Sequence, residues 1–390
     1  MALYLAISGL MSLTTWVLVL LPNFLHDKGW SSQSIGWAIG LYFLVNLVIQ
    51  IAAGPMADRV GCIRTALLGT AVAFGGGLLY TLAAGYPALI FPARVLHAAG
   101  MALISAGAVI QLIQSVPLRL RGRMMGYFGM PGFIMMGVGP ALAEWLVYRW
   151  SFRAVFVSIP LLFGALSLLL WRLPRVEPVR DPARSAPFIQ SFRVSFPLLR
   201  PVILFSVLFG LCSSAWNSFI APAVHDSVGA GGVSAFGLGY GAGAILTRLG
   251  LSHRLEHGRA RYISISMLAL YGGCLAWIPH AGSAVMLSSL GLVCGMIHGT
   301  YYPSLSSLAA ERFHPLHTGQ GLGLYMSASA LGMFAGPPIW GAIADRTSFS
   351  LMFLLAGSAI SVGTVVFVAG QSRARHLSSL TAGEASPGDQ

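Results

Sequence analysis

Continuous apolar runs of roughly bilayer length follow one another along the chain, separated by short clusters of charged, Pro and Gly residues. A helical span needs about 20 apolar residues, whereas a barrel strand needs only about 9–11 of alternating polarity. These runs do not alternate, so they predict helices. Their approximate bounds are Leu3–Leu25, Ile35–Ala57, Thr65–Gly85, Ala88–Ile110, Met124–Val147 and Phe152–Leu173. A longer polar stretch follows, and then Val202–Val224, Val233–Leu251, Tyr262–Pro279, Ala284–Leu308, Leu322–Ala344 and Phe349–Ala369. At roughly 30 residues for a span and its loop, the chain holds about twelve membrane helices. The expected organisation is a six-helix half over residues 1–173, a Pro- and Arg-rich linker over 174–200, a second six-helix half over 201–370, and a polar tail over 371–390 expected to be disordered. The first run has no basic segment before it and no small-residue cleavage signal near its end, so it reads as a retained helix rather than a signal peptide.

Composition narrows the class. Apolar types make up 56% of the 390 residues and charged types 9%, against about 25% charged in soluble domains. Such a surface excludes a water-soluble enzyme, and disorder is excluded because disordered chains are polar or charged. The net charge of +12 does not indicate nucleic-acid binding, because the basic residues sit in short loops between the runs. With the N-terminus in the cytoplasm, 17 Arg residues fall in cytoplasmic loops, while Lys28, Arg149, Arg153 and Arg346 fall on the opposite side. That bias predicts both termini inside, and the membrane expected is the cytoplasmic (inner) membrane of a bacterium. Four cysteines without CxxC or metal spacing exclude a disulfide framework.

The halves are similar to each other. A shift of 197 residues, without gaps, aligns 121–156 with 318–353 and gives nine identities in 36 positions, among them Gly139/Gly336, Pro140/Pro337 and Arg149/Arg346. Two six-span copies enter the bilayer in the same direction. Parallel repeats about an axis along the membrane normal are a transporter architecture, with the substrate site at midplane between them.

Three motifs carry a family resemblance. Gly54-Pro-Met-Ala-Asp58-Arg59-Val-Gly61 closes the second run. It resembles the loop signature of the major facilitator superfamily, G-x-L-A-D-R-x-G-R-[RK], with Cys62 and Ile63 in place of the final basic pair. Gly permits the tight turn, and Asp58 is suited to the positive end of a helix, so the loop is expected to latch the halves in one state. The second-half counterpart over 254–261 lacks the Asp. Arg94-Val-Leu-His97-Ala98 resembles the family's fourth-span motif R-x-x-Q-G, with His for Gln. Gly139-Pro140 and Gly336-Pro337 resemble part of its antiporter-type element and are expected to bend and slide helices.

The resemblance implies an all-α membrane fold of twelve helices whose first, fourth, seventh and tenth spans line a cavity. Candidate substrate residues on those spans are Thr15, Arg94, His97, Trp216, Asn217 and His298. Candidate conformational residues are Gly54, Asp58, Arg59, Gly61, Gly139, Pro140, Gly336 and Pro337. Arg94 and His97 are three residues apart and are expected to share a face, with His298 completing the site from the other half. Carboxylates are nearly absent from the runs; Glu144 lies near the end of the fifth. One guanidinium, two imidazoles and no central acid favour an anionic or neutral-polar organic solute over a lipophilic cation.

These features predict a secondary transporter working by alternating access, monomeric, coupled to protons, without cofactor or bound metal, and with export slightly favoured by the antiporter-like element. The chain has no Walker A sequence, so ATP does not drive it directly. Two other classes compete. His97 and Met101 on one helix face, with Met124, Met125, Met130, Met135 and Met136 nearby, offer the soft ligands of a Cu(I) transporter. A receptor on a transporter fold would carry a large signalling tail, and here the tail spans about 20 residues. No Ser/His/Asp or HExxH constellation points to a membrane enzyme.

Overall fold

The computed structural model describes residues 1–174, 188–229, 231–250, 260–311 and 318–384, and among them there are helices and short connections but no strand. The first run forms α1 (Ala2–Trp16), a single 3-10 turn (Val17–Leu20) and α2 (Leu21–Asp27). The rest of the first half comprises α3 (Ser32–Val60), α4 (Cys62–Ala83), α5 (Ile90–Gln114), α6 (Arg121–Arg149) and α7 (Phe152–Trp171). The second half comprises α8 (Phe188–Val228), α9 (Gly232–Gly250), α10 (Ala260–Ser266) and α11 (Leu268–Trp277) in one run, then α12 (Ala284–Glu311), α13 (Thr318–Arg346) and α14 (Phe349–Glu384). Every predicted run is helical over its described residues, and ten of the described segments are long and apolar enough to cross a membrane.

The two runs outside those ten are α9 and α13. Their glycines, with Arg248 in α9 and Pro337 and Pro338 in α13, dilute the apolar content. Two boundaries also differ from expectation. Helix α8 begins at Phe188, inside the expected linker, and α14 runs through the expected disordered tail as far as Glu384. Extending a helix adds a hydrogen bond for each residue fixed and avoids the cost of nucleation, and the tail supplies Arg, Ala and Leu before Pro387. Linker residues 175–187 and loop residues 254–259 lie outside the described residues.

The repeat is visible in the helices themselves. Helices α6 and α13 are both 29 residues long, and their bounds coincide after the 197-residue shift. These two helices make the main seams between the halves: α13 packs on α3, and α6 packs on α9. The seams are built from glycine. A methyl group placed on Gly237 of α9 would overlap the carbonyl oxygen of Met136 in α6. One placed on Gly40 of α3 would overlap the carbonyl oxygen of Phe334 in α13. Gly40 and Gly237 are themselves 197 positions apart.

The carbonyls that meet these glycines are unusual. Proline has no N–H, so the carbonyl four residues earlier loses its helical partner. Pro140 releases Met136, and Pro338 releases Phe334, so each seam sets a released carbonyl against a glycine of the other half. Close Cα–H···O contacts of this kind are worth about 0.5–1 kcal/mol each. The neighbouring glycines Gly139 and Gly336 pack within their own halves, against Trp16 and Ser214 respectively.

Gly237→Leu is expected to lower occupancy of the state in which α6 and α9 are closely packed, the sealed state, about fivefold or more, since overpacking costs about 1–3 kcal/mol. The helices need not unfold, because α6 and α9 belong to different halves. Inter-half distance distributions from paired spin labels check this, and an unchanged sealed population contradicts the seam.

Candidate functional site

A cavity of about 360 Å³ lies against α1, running from Ser8 past Met11, Ser12, Thr15 and Trp16 to Leu21 and Pro22. At about 1.5 Å per residue, Ser8 to Pro22 spans roughly 21 Å of the membrane. Helix α3 adds Ile39, Tyr42 and Phe43, α5 adds Arg94 and Met101, and α6 adds Phe128 and Gly129. The second half contributes Asn217 from α8 and Met333 from α13. Among the described residues, the lining holds one cation and no carboxylate.

Arg94 is 5% exposed and is fixed by backbone and ring rather than by an acid. Its Nε donates to the Ala38 carbonyl and its Nη2 to the Ile39 carbonyl, both at 3.2 Å. The guanidinium carbon lies 4.7 Å from the centre of the Tyr42 ring, within cation–π range. Tyr42 also meets the Thr15 hydroxyl. Arg94 and Thr15, two of the expected substrate residues, therefore share one wall.

His97 does not share that wall. It is fully buried between Tyr42, Tyr80 and Phe163, with ring centres 5.3–5.9 Å away. Its Nδ1 lies 3.4 Å from the Tyr80 hydroxyl, and its Nε2 is buried without a hydrogen-bond partner. Three residues turn a helix by about 300°, and that offset sends the imidazole toward α4 and α7 while Arg94 reaches α3. Met101, expected beside His97, lines the cavity instead, with the Thr14 hydroxyl 3.8 Å from its sulfur. The described residues hold no cluster of three His, Cys, Asp or Glu side chains suited to a metal.

The expected residues of the second half also divide. Asn217 reaches the cavity. Trp216 stacks on Trp16 across the halves, with ring centres 5.9 Å apart and planes 9° apart, and its indole N–H donates to the Tyr271 hydroxyl at 2.9 Å. His298 lies outside the lining. Its Nδ1 is 2.6 Å from the Tyr240 hydroxyl, and Phe133, Phe209, Tyr301 and Tyr302 surround it. Of the three residues expected to act together, Arg94 alone faces the cavity.

The two ends of the molecule differ. At the Ser32 end, the Asp345 carboxylate of α13 accepts the backbone N–H groups of Ser32 (2.7 Å) and Gln33 (2.9 Å) in the first turn of α3. In parallel, Glu144 of α6 accepts those of Val233 (3.2 Å) and Ser234 (3.4 Å) in the first turn of α9. Each half thus places a carboxylate on a helix N-terminus of the other, where unpaired N–H groups and the helix dipole favour negative charge. At the opposite end, Gly61 ends α3 at φ +103°, a conformation open to glycine, and its N–H donates to the Ala57 carbonyl. Beside it, Asp58 has a buried Oδ1 without a hydrogen-bond partner among the described residues, and Arg59 is exposed. A methyl group placed on Gly54 or Gly61 would meet nothing within 4 Å. Oδ1 of the signature Asp is therefore unpaired among the described residues, while the carboxylates at the far end are engaged.

Sequence reasoning missed Asp345 and gave Glu144 no role. A signal for the first was present: Ala344-Asp345-Arg346 repeats Ala57-Asp58-Arg59 at the end of another span. Tyr42, Ser8 and Ser12 were missed because hydroxyl and aromatic residues in an apolar run carry no mark of which helix face meets a cavity.

Comparison with known proteins follows the same lines. The family model described as Major Facilitator Superfamily matches residues 2–337. The staphylopine export protein of Staphylococcus aureus is 25% identical over 386 residues, covering 93% of each chain. The MFS-type transporter pynF of Aspergillus niger is 26% identical over 365 residues, covering 87% of this chain and 79% of its own. Among solved structures, a mutant of the nucleoside transporter NupG superposes with a TM-score of 0.78 at 14% identity, over 94% of this chain and 99% of that one. A POT family transporter in complex with a thioalcohol-conjugated peptide gives 0.79 at 12% identity, over 95% and 96%. Their likeness is one of fold.

The Asp345 contact has a defined pH response. Partial burial alone would raise its pKa, but the Gln33 and Ser32 amides, the Ser32 hydroxyl and the Arg346 guanidinium outweigh this and hold it below the usual carboxylate range. A depressed pKa contributes stability that is present above the released value, about 3.9, and is lost as pH falls through the engaged value. The Asp345 contact should therefore be unchanged from about pH 8 to 5 and weaken below about pH 4. Asp345→Asn should lower sealed-state occupancy about two- to fivefold, given about 0.3–1 kcal/mol for an exposed carboxylate at a helix N-terminus. Cysteine accessibility at the Ser32 end, followed against pH, measures both effects.

Proposed function

The chain belongs to the Major Facilitator Superfamily, and on that premise we propose that it exports a small anionic organic solute by alternating access, driven by the proton gradient. The observation that carries the reading is Arg94, a cation in the wall of a membrane-embedded cavity whose described lining holds no carboxylate. A charged side chain at such depth is costly and marks a functional site. An anion arriving there gains a charge-assisted contact that a guanidinium can make bidentate. The identity with a protein named for staphylopine export supports the export direction.

Alternating access supplies the movement. The end with engaged carboxylates faces outward and the end bearing Asp58 faces the cytoplasm, by the distribution of basic residues. In this state the solute enters from the cytoplasm. Engagement of Asp58 as the carboxylates release would expose the same cavity to the outside. A single chain is sufficient for this cycle, because both halves are present in it.

His97 is the coupling group in this reading. Its imidazole stands behind Arg94 with Nε2 buried and unpartnered, and that nitrogen is the ring atom left to carry a proton.

Flux in proteoliposomes with an imposed pH gradient tests the scheme. Arg94→Lys should lose most solute binding, because a point charge does not reproduce the planar fork. His97→Gln should retain binding and flatten the pH dependence of flux. Asp58→Asn should leave the protein inserted and cut transport about tenfold or more. Arg94→Ala binding the solute as well as the parent chain would refute the anion site, and an unchanged pH profile in His97→Gln would remove the coupling role.

A further inference from the structure

We propose that the solute of this cavity is a mono-anion with a flat apolar body, of the chemical class of aryl carboxylates. The inference rests on the reading of Arg94 as the anion contact and extends it to the rest of the ligand.

Charge sets the first limit. Arg94 is the one cation among the described lining residues, and its Nε and Nη2 are already committed to the Ala38 and Ile39 carbonyls. It can neutralise one carboxylate. A second carboxylate beside Arg94 would be left unpaired, because the next guanidinium, Arg248, lies behind Gly129 against the Phe133 ring, and an unpaired buried charge is strongly penalised. The remaining polar groups, Ser8, Ser12, Thr15 and Asn217, are uncharged. They suit a neutral substituent such as a hydroxyl.

Shape sets the second limit. Trp16, Tyr42, Phe43 and Phe128 line the space beside Arg94, and the thioethers of Met11, Met101 and Met333 fill between them. Aromatic faces favour offset or edge contact with another ring, and thioether sulfur favours aromatic neighbours. Trp16 is held in place by its stack on Trp216, and Tyr42 by its contacts with Arg94 and Thr15. These walls are therefore fixed before a ligand arrives, which lowers the ordering cost of binding. A carboxylate on Arg94 places the body it carries among them.

Equilibrium binding to the purified full chain in nanodiscs separates these limits with four probes that differ in one property each. The reference is 2-naphthoate. Decahydro-2-naphthoate keeps the charge and loses flatness, naphthalene-2,6-dicarboxylate adds a second charge, and 2-(aminomethyl)naphthalene reverses the charge. Binding of 2-naphthoate is expected, with at least fivefold weaker binding of the saturated ring and at least tenfold weaker binding of the dicarboxylate and the amine. Trp16→Leu should weaken 2-naphthoate at least fivefold and decahydro-2-naphthoate by a clearly smaller factor, and a thermal melt verifies that the variant is folded. Equal binding of the saturated ring overturns the flat body, and equal binding of the dicarboxylate overturns the single charge. Either result leaves the anion reading standing. Preference for the amine over the acids overturns the anion reading itself, and failure of every probe to bind overturns the proposed class.

Discussion

The two halves are joined where helix carbonyls of one, two of them released by proline, rest on glycines of the other. This contact determines much else in the molecule. A carbonyl inside an ordinary helix is already bonded, and a side chain at the glycine would hold the backbones apart. With Pro140 and Pro338 on one side, and Gly237 and Gly40 on the other, the helices approach closely through weak Cα–H···O contacts. In a bilayer, lipid tails are as apolar as a leucine side chain, so close packing rather than water exclusion brings helices together. A seam of small residues and weak Cα–H···O contacts closes in this way and can part again at modest cost.

The charged groups then act as catches on a seam that is itself nearly neutral. Asp345 and Glu144 hold the Ser32 end by pairing with helix N-terminal amides of the opposite half. Asp58 at the other end has no such partner among the described residues. The cavity lies between, with Arg94 on the first half and Asn217 and Met333 reaching it from the second. A solute bound mainly by the first half would stay with it as the second half rocks. Only differential contact with the two states shifts such an equilibrium, and Asn217 and Met333 are the lining residues placed to supply it.

The sequence made the helices legible because each had to supply enough apolar length to cross a bilayer. It also made the repeat legible, and the coincidence of α6 with α13 follows from matched loop residues at both ends. The same hydropathy reasoning weakens at α9 and α13, where glycine and proline serve the seams at the expense of apolarity. The site was legible in part. Arg94 was conspicuous because a buried charge is costly, and Thr15 and Asn217 fell on helices that line the cavity. His97 and His298 were equally conspicuous by type, yet both lie in aromatic packing outside the cavity lining. Residue spacing gives the angle between two side chains on a helix but leaves open which neighbouring helix each will meet. Asp345 went unnoticed because an acid just beyond a span looks like ordinary loop polarity until the α3 N-terminus is seen beside it.

The central claim is that the two ends of the α3–α13 seam open and close in opposition. Two pairs of spin labels in a cysteine-free chain measure this directly. One pair, at Gln33 and Arg346, reports the sealed end, and the other, at Arg59 and Met326, reports the opposite end. With the Asp345 and Glu144 catches removed together, the account predicts that the first distance lengthens while the second shortens in the same molecules. Both distances lengthening together, or the second staying fixed while the first changes, would contradict it.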